Sequence, residues 1–121
     1  MGTSKKSEIP ADRVELYDRL VATNREVERK GASVPYTSVN GHMFSYLNAQ
    51  GSMALKLPKA ERDAFLEKYQ TTLFEAYGIV QKEFVTVPDA LLENTDELKT
   101  YFDFSYETTK ALKPKATRGK A

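Results

Sequence analysis

An α+β domain with an antiparallel five-stranded sheet, its elements in the order α-β-β-β-α-β-β-α, is the architecture expected of this chain. Three observations lead there. Apolar residues recur at helical spacing in two separated stretches, around Leu16–Val21 and Leu98–Tyr106. Between them, Pro35 to Pro58, PYTSVNGHMFSYLNAQGSMALKLP, reads as short strands divided by tight turns, and KEFVTV reads as a later strand. Strands joined by such short turns pair antiparallel, and helices grouped against one face of the sheet complete an α+β domain.

Taken in order, Pro10 suits the first turn of a helix, where its missing N–H costs nothing. Leu16, Tyr17, Leu20, Val21 and Val27 follow at helical spacing with charged residues between them, so an amphipathic helix is expected, capped at Gly31. Pro35 resists helix. Asn40-Gly41 tolerates the positive φ angles of a type I′ turn and joins YTSV to HMFSYLN as a hairpin. A break at Ala49-Gln50-Gly51 leads into SMALKL, where Met53, Leu55 and Leu57 alternate with Ser52, Ala54 and Lys56, giving one buried face and one nearer to water. In the middle strand, alternation assigns Met43 and Leu47 to one side and Phe44 and Tyr46 to the other. Such a strand is central, covered on one face and partly covered on the other.

Pro58 stops the third strand and starts KAERDAFLEKY, a shorter helix with Phe65, Leu66 and Tyr69 on its apolar side. TTLFEAYG is read as a short strand ending at Gly78. KEFVTV is rich in β-branched and aromatic residues and ends at Pro88, and DALL makes one helical turn. Asn94 and Glu97 fit a capping box; Leu98, Tyr101, Phe102, Ser105, Tyr106 and Leu112 then form the stripe of the last helix, closed by Lys113-Pro114. The organisation is a flexible N-terminus over residues 1–8, one domain over 9–113, and a flexible basic tail over 114–121.

Composition excludes several function classes. A chain of 121 residues, 40% hydrophobic and 29% charged, fits one globular domain that buries roughly two-thirds of its unfolded surface. A net charge of +1 provides no strong field for nucleic acid or an anionic membrane. With no cysteine, disulfides, thiolate nucleophiles and thiolate metal sites are out. The start, MGTSKKSEIPADR, has no apolar run after its lysines, and Ser7 stands one place late for myristoylation. No apolar run approaches the ~18 residues of a membrane span. The expected location is the cytoplasm, with no membrane partner and no cofactor.

The residues able to carry chemistry are few. His42 is the sole histidine and is read as a strand-end residue rather than a base or ligand. Ser38, Ser45 and Ser52 lie near it in sequence, but no G-x-S-x-G elbow is present. A small enzyme would have to use His42 with Lys56 or Lys82, and no convergent nucleophile, base and orienting group is visible. Glu61, Asp63 and Glu67 alternate with Lys59, Arg62 and Lys68 on a solvated helix face. Tyr36, Phe44 and Tyr46 sit on strands, as in base-stacking sheets, yet little positive charge stands among them. Lys110, Lys113, Lys115, Arg118 and Lys120 make the tail the only place for nucleic-acid contact. The leading expectation is a non-catalytic binding module that meets a protein partner, or a second copy of itself, through Tyr36 and Tyr46 with Lys82 nearby.

Two blocks, GASVPYTSVNGHMFSYLNAQGSMALKLPKAERDAF and KEFVTVPDALLENTDELKTYFDFSYETTKALKPK, resemble the TfoX N-terminal domain, or Sxy-like, family. The shared features are a strand carrying N-G-x-M-F, a third strand ending L-x-L-P, an aromatic-Val-x-Val-Pro strand, and a final helix ending near Leu-Lys-Pro-Lys. The likeness spans roughly residues 12–115. It departs from the family at Tyr36-Thr37-Ser38, where many members carry a Gly-Gly pair. The resemblance implies the same element order and a regulatory role, which in members with a second, C-terminal domain is the control of natural competence. This chain is expected to lack that second domain. The family supplies no catalytic residues to carry over.

Overall fold

A computed structural model describes residues 9–31 and 34–112. Five strands, β1 (Tyr36–Val39), β2 (His42–Leu47), β3 (Met53–Lys56), β4 (Leu73–Ala76) and β5 (Ile79–Val87), form one antiparallel sheet in the order β1-β2-β3-β5-β4. The helices are α1 (Ala11–Ala22), α2 (Lys59–Tyr69), the single turn α3 (Asp89–Leu92) and α4 (Thr95–Lys110). The α+β class and the expected order of elements are both present. The termini read as flexible, 1–8 and 114–121, lie outside the described residues.

Local chemistry accounts for the element ends. Asn40 (φ 55°) and Gly41 (φ 81°) make the expected hairpin turn. The Asn40 amide also donates to the Lys110 carbonyl at 2.7 Å, tying this turn to the end of α4. Asn94 caps α4 by accepting from the Glu97 N–H at 3.3 Å, and its amide donates to Glu97 Oε1 at 3.2 Å. Pro58 and Pro88 stand at the N-caps of α2 and α3.

Three expectations need correction. Helix α1 stops at Ala22, so Val27 lies beyond it and Gly31 does not cap it. The side chains after Ala22 compete with the helical bonds. The Thr23 hydroxyl donates to the Leu20 carbonyl at 2.7 Å, and Asn24 Oδ1 accepts from the Glu26 N–H at 2.9 Å. Gly31 instead uses its positive φ of 88° at the bend beside the Lys30–Tyr36 bridge. Leu112 falls past the end of α4 and is exposed, outside the buried stripe.

The third correction concerns β2. Thr37 pairs with Ser45 but Ser38 pairs with Met43, so Phe44 has no partner on β1 and forms a bulge. Alternation is broken there, and Phe44 and Ser45 both enter the core. Phe44 packs on Phe102 and Tyr106 of α4, with ring centroids 5.4 and 5.8 Å apart. Leu47 stays on the core side, while Met43 is exposed and Tyr46 is half-buried on the opposite face.

The core therefore lies on the inner sheet face. Cross-strand rows Ser45–Leu55–Val85 and Leu47–Met53–Val87 meet Tyr17, Leu20 and Val21 of α1 and Leu98, Phe102 and Tyr106 of α4. Helix α2 adds Phe65, whose ring meets Tyr101 of α4 edge-on at 5.1 Å. Within this core the Tyr17 hydroxyl shares a hydrogen bond with Ser45 Oγ at 2.6 Å, and Ser45 Oγ shares another with Thr37 Oγ1 at 2.5 Å. These three hydroxyls satisfy one another away from water.

Burial pushes the Tyr17 phenol up to about 12 from 10.0. Its proton is therefore held more tightly in the folded chain than in the unfolded one. That stabilisation is fully present below pH 10 and is lost as pH rises towards about 12. Urea unfolding at a series of pH values should show stability falling through this window, with the Tyr17 share reaching up to about 1.4 kcal/mol per pH unit. Tyr17→Phe should flatten that part of the slope and cost roughly 1 kcal/mol at neutral pH. An unchanged alkaline slope in the variant would rule out Tyr17 as its source.

Candidate functional site

The outer face of the sheet has a different composition. Its rows are Tyr36–Tyr46–Ala54–Thr86 and Lys56–Phe84. Ala54 is fully buried although it faces away from the helices. The Tyr46 ring explains this. It starts on β2 but meets Phe84 of β5 at 5.8 Å and Phe74 of β4 at 5.3 Å, both edge-on. To reach them it must lie across β3, and only a small residue at position 54 leaves room.

The β4–β5 hairpin completes the site. The last β3–β5 pair is Lys56–Phe84, so the first residues of β5 pair with β4 alone and project as an arm. An irregularity between Leu73 and Phe74 bends this arm, and Tyr77 (φ 55°) and Gly78 (φ 77°) turn its tip. The arm faces His42, Met43 and Tyr46 of β2 across a cleft of about 860 Å³. Phe74, Phe84 and Tyr46 make it aromatic, and Asn48, Gln50 and Gln81 give it neutral polar groups.

Charge in the cleft is nearly balanced. Lys56 Nζ forms an ion pair with Glu83 and stands 5.9 Å from the centre of the Phe84 ring. The lysine holds the Glu83 carboxyl below the usual carboxylate range, chiefly through their hydrogen bond. Burial raises the Tyr46 phenol, which stays neutral. Glu75 lines the arm side and has no ion pair among the described residues.

The residues singled out in sequence are separated. Tyr46 stands at the centre of the cleft. Tyr36 pairs with Tyr46 across β1–β2 but is not part of the cleft wall; its ring lies beside Gly31. Lys82 is exposed on the arm, outside the wall. His42 and Lys56 share the wall, so the cleft does bring that pair together. The serines do not join them: Ser45 is bound to Tyr17 in the core, and Ser38 accepts from Lys30 Nζ at 3.2 Å. Phe74 and Phe84 were missed. Phe84 was detectable, because Val85 and Val87 alternate with it and face the core. Phe74 was not, because it reaches the cleft only through the bend at Leu73–Phe74.

No group of metal-binding side chains occurs among the described residues. None of the described helices is long and apolar enough to cross a membrane. Of the basic residues assigned to the tail, only Lys110 is described; it stands 3.8 Å from Glu26 and 5.6 Å from the centre of the Tyr106 ring. Fold and cleft together define a small α+β domain with a recessed aromatic surface on the uncovered face of its sheet. Compared with family models, curated proteins and solved structures, the chain gives no match.

Proposed function

We propose that this chain is a non-catalytic binding module that takes an apolar or aromatic side chain of a protein partner into the outer-face cleft. The ring cluster of Tyr46, Phe74 and Phe84 carries the reading. Tyr46 and Phe84 are half-buried and gain by excluding water, while Phe74 is already buried behind them; a buried aromatic anchor is worth on the order of 1.5–3 kcal/mol. The Lys56–Glu83 pair at the edge supplies both a donor and an acceptor for the partner's backbone. The resemblance to TfoX N-terminal domains supports a regulatory role and belongs to the same proposal.

One observation favours a small enzyme, that His42 and Lys56 share the wall. Against it, Lys56 is held by Glu83, and no serine or threonine lies on the wall among the described residues. A random peptide library displayed against the chain tests the binding module. Peptides carrying an aromatic residue should be enriched, and Tyr46→Ala should weaken the best of them at least about tenfold while the chain stays folded. No enrichment, or binding that ignores Tyr46→Ala, would overturn the reading.

A further inference from the structure

The β4–β5 arm carries apolar side chains that nothing among the described residues covers. Tyr77 is fully exposed, and Ile79 and Val80 are 65% and 49% exposed. Ile79 pairs with Ala76 and Val80 pairs with Glu75, so both sides of the arm present an apolar chain to water. Apolar exposure gathered at one hairpin tip in this way points to an interaction surface.

The tip is also held at a conformational cost. Tyr77 adopts the left-handed region at φ 55°, which a bulky side chain disfavours. The other hairpin of the same sheet places Asn40 there, at φ 55°. An unpacked ring at a strained position stabilises nothing within the chain, and such strain gathers at functional positions.

β4 is an edge strand. The opposite edge, β1, is partly closed by Lys30, which exchanges hydrogen bonds of 2.8 and 3.0 Å with Tyr36. No segment covers β4 in this way among the described residues. Glu75 and Lys82, opposite charges on one hairpin, have no ion-pair partner among the described residues either.

We propose that the arm docks on a second copy of this chain, each copy placing Tyr77 in the other's aromatic cleft. This rests on the cleft being a binding site. One chain carries both an aromatic recess and, on the rim of that recess, the exposed ring of Tyr77, and an antiparallel two-fold arrangement satisfies both at once. The same axis sets Glu75 of each arm against Lys82 of the other, so the charges are self-complementary. A ring and two partly exposed aliphatic chains per arm, received by a recess on each copy, bring several hundred Å² per protomer within reach, the area of a weak pair.

Sedimentation velocity on the full chain tests this up to millimolar concentration. The wild type should form dimers. Tyr77→Asn, which removes the ring and suits the left-handed turn, should raise the dimer dissociation constant at least about thirtyfold without lowering the melting temperature of the monomer. Glu75→Lys should weaken the dimer, and adding Lys82→Glu should restore it. A monomeric wild type, a Tyr77→Asn variant that dimerises as well as wild type, or a charge reversal that fails to rescue would each overturn the proposal. Panning the peptide library on Tyr77→Asn separates the two readings. Peptides that bind its cleft while the wild type stays monomeric sustain the binding module and remove the self-partner; no binder on either form, with a monomeric wild type, removes both.

Discussion

Phe44→Ala should destabilise the chain by about 3–5 kcal/mol, whereas Tyr46→Ala should cost only about 1–2 kcal/mol. The two aromatic residues stand two positions apart on β2, and regular alternation would give them the same environment. The bulge separates them. Phe44 has no exposed surface and packs on Phe102 and Tyr106, so truncation leaves a cavity between the sheet and α4. Tyr46 is half-buried over Ala54, and its loss removes two edge-on ring contacts at a partly solvated surface. A domain of ordinary stability has roughly 5–15 kcal/mol in hand, so the first variant should lose a large share of it. Urea titration of both variants measures the difference. Equal losses would mean that β2 is not bulged at Phe44.

Gly51→Ala should cost about 2–3 kcal/mol, lowering the melting temperature by roughly 10 °C. Gly51 has φ 87°, and a Cβ there would meet Arg13 Cγ at 2.8 Å and Pro10 Cδ at 3.3 Å. Neither neighbour is free to retreat. Arg13 Nη2 holds Asp89 at 3.1 Å, and Pro10 is fixed at the start of α1. The turn is also closely bonded, since Asn48 Oδ1 accepts from the N–H groups of Gln50 and Ser52, each at 2.9 Å. Gly78→Ala makes the comparison, because φ is 77° there and a Cβ would meet nothing within 4 Å. It should show the backbone cost alone, about 1–2 kcal/mol, seen as a smaller fall in melting temperature. Similar losses at both positions would show that the contact with α1 contributes nothing.

Much of the domain is legible in the sequence. Asn40-Gly41, Pro58, Pro88 and the Asn94–Glu97 pair act over a few residues, and each marks an element boundary in the structure. The apolar spacing of α4 and the alternation of Met53, Leu55 and Leu57 likewise survive, because a long periodic pattern fixes which face is buried. The end of α1 was less legible, since Thr23 and Asn24 turn the chain through side-chain bonds that fit a helical spacing equally well on paper.

The candidate site was legible only in part. Tyr46 reads as partner-facing because a central strand with apolar residues on both sides needs something over each side, and the sequence offers His42 with Lys56 or Lys82 as a candidate pair. What composes the cleft could not be read along the chain. Tyr46 reaches Phe74 and Phe84 only because Ala54 lies beneath it and the arm bends at Leu73–Phe74, which are matters of register between segments far apart in sequence. Turn chemistry and periodicity are local, and they determined the strands and helices of this protein. The bulge at Phe44, the bent arm and the recess between them were decided by the tertiary structure, because a shift of one residue in pairing reverses which face a side chain occupies.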